Sequence, residues 1–441
     1  MTIADLQGFF AIILNMGIIH VPELEDYWKT SWTCAVSFFG RVLPLNRFEE
    51  IFWMLHVSHS EPDQPVRKID KVRVILKPLI TKFQASYHPS RNIAVDETMV
   101  AFRGRFAAKQ YMPKKPTKWG IKAFSLADSS SGYVLNTILY TGSETLQGAT
   151  NDFSHLPQPA QVVMHLAVPY LDSGHHMFTD RYYTSVRLAQ ALSERKTAFT
   201  GTSNKNRAEL PDKIHQLSSL KGGEVIAYRT PKLLALAWQA EKRKKPVFMV
   251  STEASASSVT VQPRNSHSSP VQKPSVVDLY NHNMNGVDIA DQHSVYYAFQ
   301  RKTRKWWRKV FFWLVETTVV NSYIIYKECV SATGDKPHCH LTYRRTVLET
   351  LAIRCITCAP PRPLCGRHRK KPRLEGDPEH LNQHLHILGK RSKPRDCVVC
   401  GLETKGRRHR TLYYCKTCGS NPSLHPDTCF ERYHTLSDFS V

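Results

Sequence analysis

The sequence predicts a mixed α/β protein with a helical beginning, a strand-rich middle and a small metal-binding module near its end. Three patterns predict this. Apolar residues recur at helical spacing as far as about residue 90, as in Phe48, Ile51, Phe52 and Leu55. From Asn92 the apolar runs shorten to strand length and are bounded by Gly and Ser. Five of the eleven cysteines fall between Cys397 and Cys429, and none lies between Cys34 and Cys329, which fits a metal module in a reduced chain better than a disulfide framework.

The 441 residues exceed what one core can hold, so roughly two to four domains are expected. The 60 Lys+Arg against 37 Asp+Glu give a formal charge of +23, which predicts a polyanionic partner, most often nucleic acid. The plainer readings of that charge are solubility and attraction to an anionic membrane surface. The start, Met1-Thr-Ile-Ala-Asp5, lacks the basic segment of a secretory signal. The apolar run from Phe9 to Val21 is broken by Asn15 and is too short to span a bilayer. It reads as a buried helix with Thr2 as N-cap and Asp5 completing a capping box.

Further helices follow, one of them carrying Ile69, Val72, Leu76, Leu79 and Phe83, with Pro44 and Pro65 as punctuation. Three strands come next: Ile93 to Phe102, Gly120 to Leu126 and Tyr133 to Tyr140. Strands in direct succession suggest an antiparallel meander. A helix is expected around Gln161 to Leu171, then a short strand from His175 ending at Asp180, then an amphipathic helix within Arg181 to Leu192. Leu233 to Trp238 and Val247 to Ser251 flank a basic turn at Glu241-Lys-Arg-Lys-Lys-Pro246. A helical pattern resumes at Val276 and runs past Asp288 and Asp291. The densely basic Arg301-Lys-Thr-Arg-Lys-Trp-Trp-Arg-Lys309 leads into an apolar helix from Phe311 to Ile325. Residues 359 to 396 are rich in Pro and charge and read as a linker.

The chemistry is carried by acids in awkward places. Asp96 and Glu97 interrupt an apolar strand, where a carboxylate is expensive unless a salt bridge or a cation compensates it. Arg103 and Arg105 are candidates for the salt bridge. Asp180 ends a later strand, where it could instead cap the following helix. Asp288 and Asp291 lie three apart on a helix and share a face, and Asp288 could instead pair with Arg301 or Arg304. Phosphoryl transfer on DNA is served by two divalent cations roughly 4 Å apart, and carboxylates suit Mg²⁺ and Mn²⁺. Three acids on a strand meander plus a helix is the arrangement of the RNase H-like nucleic-acid transferases.

The chain resembles the piggyBac transposases and piggyBac-derived proteins. The resemblance rests on Val95-Asp96-Glu97-Thr-Met-Val-Ala-Phe-Arg-Gly-Arg105, Lys109-Gln-Tyr-Met-Pro-Lys-Lys-Pro-Thr-Lys-Trp-Gly-Ile-Lys122, Phe178-Thr-Asp180-Arg-Tyr-Tyr-Thr-Ser185 and Asn285-Gly-Val-Asp288-Ile-Ala-Asp291-Gln292. Glu25-Asp-Tyr-Trp28, Arg301-Lys-Thr-Arg-Lys-Trp306 and Cys429-Phe-Glu-Arg-Tyr-His434 add to it, so nearly the whole chain is covered. It implies an RNase H-like core with an all-β insertion between the second and third acids and a helical dimerisation and DNA-binding domain around it. It further implies Asp96, Asp180 and Asp288 as the catalytic triad and Asp291 as an accessory acid. Two departures stand out. The family commonly has Asn after the second acid, where this chain has Arg181, and its members usually carry a longer acidic stretch before the helical domain.

Lys115, Lys118, Arg301, Lys302, Arg304 and Lys305 are candidate phosphate contacts, with Trp306 able to stack on a base. A basic face that is merely solvated is the plain alternative. At the end of the chain, Cys397-x2-Cys400, Cys415-x2-Cys418 and His425-x3-Cys429-x4-His434 are a strong zinc signal. Seven ligands exceed one tetrahedral ion; two ions need eight, and His409 is the nearest candidate for the last, with Asp427 or a water as alternatives. One or two Zn²⁺ are expected there, and two Mg²⁺ or Mn²⁺ at the acids. A weaker cluster, Cys355-x2-Cys358-x6-Cys365-x2-His368, also has permissive spacing, beside a basic run from Arg367 to Arg373.

The expected layout is helical from 1 to 90, RNase H-like core over 91–195 and 273–330, β-rich insertion over 196–272, helical return and linker over 331–396, and zinc module over 397–441. The expected function is a nuclear, homodimeric DNA transposase joining ends at TTAA targets. A transposase-derived DNA- or chromatin-binding protein without catalysis is the alternative.

Overall fold

The computed structural model describes residues 1–31, 35–57, 69–113, 115–146, 151–217, 220–240, 245–262, 270–358, 386–400 and 409–435. They fall into two compact units, Met1–Ala359 and Pro360–Val441. The first begins with helices α1 (Ile3–Met16), α2 (Ser37–Val42), α3 (Leu45–Met54) and α4 (Asp70–Ser86). The capping box read from the sequence is present: Thr2 Oγ1 accepts from the Asp5 backbone, and Asp5 Oδ2 accepts from the Thr2 backbone. The Glu25-Asp-Tyr-Trp28 motif forms a short 3-10 turn whose rings join Phe9, Phe39 and Phe48 in the helical core. Its role here is packing.

The strands follow as β1 (Asn92–Ala101), β2 (Gln110–Tyr111), β3 (Trp119–Asp128) and β4 (Val134–Leu139), then α5 (Gln158–Ala167), β5 (His176–Thr179), α6 (Val186–Glu194) and β6 (Ala198–Ser203). β3 runs antiparallel to β1, β2 and β4, which is the expected meander, whereas β5 and β6 run parallel to β1. Ile93, Ala94 and Val95 have no exposed surface, as a central strand covered on both faces requires. Ser185, whose Oγ accepts from Leu188 N, caps α6, so Asp180 does not cap that helix.

After α7 (Asp212–His215) come β7 (Val225–Arg229), β8 (Leu234–Trp238) and β9 (Val247–Ser251). Sequence alone sets residues 196–272 apart as an insertion. In the structure these strands continue the central sheet, in the order β1-β5-β6-β9-β8-β7, with β9 antiparallel to β6. Strand pairing between distant segments leaves no periodic signature, so the sheet's extent was not legible. β10 (Ser258–Val261) and β11 (Val271–Pro274) form a separate ribbon that leads into α8 (Ser275–Asn283), α9 (Gly286–Tyr296), α10 (Trp306–Ala332) and α11 (His340–Cys358).

A fully buried ion pair ties these helices to α1. Both terminal nitrogens of Arg344 in α11 reach the carboxylate of Glu316 in α10, at 2.5 and 3.0 Å. The same guanidinium donates to the carbonyls of Leu14 at 3.2 Å and Tyr297 at 2.8 Å. Four segments thus meet at one side chain. Cys355 is buried among the same helices; Cys365 and His368 lie outside the described residues, as do the side chain of Cys358 and the basic run from Arg367.

In the second unit, residues 388–396 are not linker but strand β12 (Leu388–Asp396), paired with β13 (Arg410–Cys415). Its Lys-Arg-Ser-Lys-Pro-Arg run lacks the apolar alternation that announces a strand, because most of it faces solvent. A closing helix, α12, spans Thr428–Thr435.

Removing one partner of the Arg344–Glu316 pair leaves a buried charge unmatched. Arg344→Met and Glu316→Leu are each expected to cost about 3–5 kcal/mol. Combined, they are expected to cost clearly less than the sum, as read by urea unfolding of the singles and the double.

Candidate catalytic site and zinc module

The parallel register of β1 and β5 pairs Val95 with Thr179. The residue after each is therefore at the same level of the sheet, and those residues are Asp96 and Asp180. Their carboxylates and that of Glu97 offer oxygens within 4.8 Å of one another. Asp180 Oδ1 also accepts from the Tyr182 backbone at 2.8 Å, so the turn after β5 holds the carboxylate in place. Asp288 and Asp291 come from the first two turns of α9. That helix is seated by Gly286, where a Cβ would lie 2.7 Å from the Asp128 carbonyl oxygen. Only glycine lets α9 approach the β3–β4 turn so closely.

The charge partner of Asp96 is neither Arg103 nor Arg105 but Lys115, whose Nζ lies 2.8 Å from Asp96 Oδ2 and 3.5 Å from Asp288 Oδ1. Lys115, expected to face phosphate, thus bridges two of the three acids. Burial pushes Asp96 up to about 6 in spite of this ammonium, and pushes Asp291 up to about 7 although Thr98 donates to it. Asp180 is raised by burial as well. An acid group so placed favours either a proton or a cation, and a set of hard carboxylate oxygens suits Mg²⁺ or Mn²⁺. Asp96, Asp180 and Asp288, with Glu97 and Asp291 beside them, are the residues that would hold such ions. Glu97, which the sequence marks only as an acid in an apolar strand, joins the cluster of Asp96 and Asp180 in the structure. Neighbours in a strand point to opposite faces, and its own counter-ion, Lys122 at 3.0 Å, lies 25 residues away.

The basic run divides into two kinds of residue. Arg301 donates to the carbonyls of Val21, Pro22 and Glu23 and lies over the Tyr27 ring, so it braces the N-terminal helices instead of facing solvent. Trp306 opens α10 and stacks on Phe106 at 4.6 Å. Arg308 is buried against Phe52 and Trp53. Lys302, Arg304 and Lys305, together with Lys118, remain exposed. A sequence pattern cannot separate cations that meet carbonyls from cations that meet water.

In the second unit, two tetrads assemble: Cys397, Cys400, His425 and Cys429; and His386, Cys415, Cys418 and His434. Taken along the chain they alternate, which is a cross-brace. The eighth residue is His386, in the stretch expected as linker, and not His409. His409 is exposed, and its carbonyl accepts from the Cys397 backbone. His434 Nδ1 contacts the Phe430 carbonyl at 2.7 Å, which leaves Nε2, 3.5 Å from Cys418 Sγ, for a metal. Sulfur and imidazole donors in fours suit tetrahedral Zn²⁺. Metal analysis of the purified chain is expected to find two zinc ions. His386→Ala should lose one and His409→Ala none, and chelation should unfold this unit because metal binding supplies its folding free energy.

Residues 1–323 match the family model described as Transposase IS4. The chain is 23% identical to piggyBac transposable element-derived protein 3 of Homo sapiens over 99% of its own length and 70% of that protein's. It is also 23% identical to piggyBac transposable element-derived protein 2 of Homo sapiens, over 91% of this chain and 66% of that one. Its fold matches that of a cryo-EM structure of a piggyBac transposase synaptic complex with hairpin DNA, with a TM-score of 0.71 at 24% identity, covering 82% of this chain and 74% of that one. The likeness shows a shared mixed α/β fold. With the family model spanning most of its length and the acids in the order the motifs require, the chain belongs to the Transposase IS4 family, in the group of the piggyBac transposases and piggyBac-derived proteins.

Proposed function

We propose that the protein is a DNA transposase of piggyBac type, acting in the nucleus as a homodimer on double-stranded DNA. The reaction is hydrolysis at an element end, attack of the freed 3′-hydroxyl on the opposite strand to form a hairpin, hydrolysis of that hairpin to free the 3′-hydroxyl again, and attack of that hydroxyl on a TTAA target. The observation that carries this reading is the cluster of Asp96 and Asp180 on two parallel strands, with Asp288 of α9 joined to Asp96 through the Lys115 ammonium. Bound divalent cations would supply activation of the attacking oxygen and stabilisation of the leaving oxygen.

The chain's own groups do the rest. Asp96 and Asp180 are fixed on the sheet, where rigid strands hold ligand geometry better than loops. Asp288 stands at the rim, largely exposed, where an incoming strand can reach it. Glu97 is neutralised by Lys122, so it adds little net charge to repel phosphate. Lys302, Arg304 and Lys305 provide exposed cations just before α10. A second reading, a DNA- or chromatin-binding protein without catalysis, is favoured by Arg181. This cation stands next to Asp180, where it opposes loading of a second metal ion.

Two measurements test the proposal. Excision from a donor plasmid carrying matched element ends is expected, and Asp288→Asn should abolish it while DNA binding persists. An active Asp288→Asn variant would reject the acid assignment, and an inactive parent that still binds DNA would favour the second reading. Replacing Lys302, Arg304 and Lys305 by Gln should lower the slope of log affinity against log salt by about 0.9 for each of the three side chains that reaches a phosphate. An unchanged slope would mean that this run is a solvated surface.

A further inference from the structure

We propose that Lys115 is a tethered counter-ion of the acid cluster, one that orders the carboxylates before metal arrives and must leave when a divalent cation enters. The inference rests on reading the acids as a metal site. Its ammonium stands between Asp96 and Asp288, acids carried by different elements, where an ion shared by the two would have to sit. Two cations cannot share that space without strong repulsion. Lys115 is held by both carboxylates yet belongs to neither sheet nor helix.

It comes from the loop between β2 and β3. That loop is closed at its ends by Met112 N donating to Lys118 O at 2.8 Å, and the backbone of Lys115 is itself held by donation from Lys115 N to Met112 O at 3.2 Å. The four-carbon stem can therefore swing without disturbing the sheet. Room for it exists: Lys115 lines a cavity of about 760 Å³ together with Thr98, Asp288 and Asp291. Once displaced, the ammonium remains at the rim of the acid cluster, where a phosphodiester entering with the cation offers it a new partner. Lys115 thus acts as a positioning residue, exchanging a carboxylate partner for a phosphate one as the site loads. Lys122 has no such freedom. It is paired with Glu97 and lies over the rings of Phe124 and Tyr182.

The test uses the full chain with its zinc module saturated and Mn²⁺ as the probe. Amine acylation followed by mass spectrometry reads the accessibility of Lys115, with exposed Lys302 as internal reference. Lys115 should react slowly without Mn²⁺ and several-fold faster with it, while Lys302 is unchanged. Calorimetric titration should show Lys115→Met binding Mn²⁺ at least about tenfold more tightly than the parent, with Lys115→Arg close to the parent. Mn²⁺ binding with no change in Lys115 labelling, or Lys115→Met binding no more tightly, overturns the proposal. If Lys115→Met does not fold, the labelling of the parent chain decides alone. If neither parent nor variant binds Mn²⁺ outside the zinc module, the metal-site reading of the acids falls and takes this proposal with it.

Discussion

An ionised carboxylate in the middle of a buried strand is the constraint around which the first unit is arranged. Asp96 is flanked by Val95, which is fully buried, and by Glu97, which is nearly so, and its desolvation must be offset. Lys115 does this from one side. The neighbouring Glu97 has its own cation in Lys122, and Asp180 is held by the turn after β5. Each compensation brings a further piece of chain into place: the loop before β3, the middle of β3, and the start of α6. The turn between β3 and β4 then meets α9 at Gly286, which sets where Asp288 stands. The acids are not placed on a finished fold; satisfying them determines much of how the central strands and their loops are connected.

How far this was legible depends on range along the chain. The meander, the short strand ending at Asp180 and the helix bearing Asp288 and Asp291 all announce themselves through local periodicity and punctuation. The capping box at Thr2 and Asp5 is local too. What escaped the sequence is non-local or hidden by composition. β6 and β9 pair across about fifty residues, and no residue pattern declares that the segment after Asp180 extends the same sheet. Strand β12 is written largely in Lys, Arg, Ser and Pro, so it resembles a linker, and His386 falls in the same stretch. Arg301 and Trp306 lie in a run that looks like a nucleic-acid contact, yet their partners are carbonyls and a phenylalanine ring. Charge content is legible in a sequence; the direction in which a charge faces is not.

The second unit follows a different logic. Its core is small, with Val399, Leu424 and Tyr433 packed among the cysteines. Few apolar residues are available there, so the alternating ligand sets stand in for a hydrophobic centre. Interleaving matters physically. Because each set draws residues from both sides of the other in sequence, neither half of the module can order alone.

The buried Arg344 has a consequence for how the chain is made. Its guanidinium reaches the carbonyl of Leu14, which leaves the ribosome 330 residues earlier. The apolar face of α1, with Phe9, Ile12 and Ile13, closes against segments that include Ala352 and Cys355. At ordinary elongation rates those partners emerge on the order of tens of seconds later. Throughout that interval α1 has a finished backbone pattern and an incomplete surface to cover it. The nascent chain therefore carries an exposed greasy helix while most of the first unit is being synthesised.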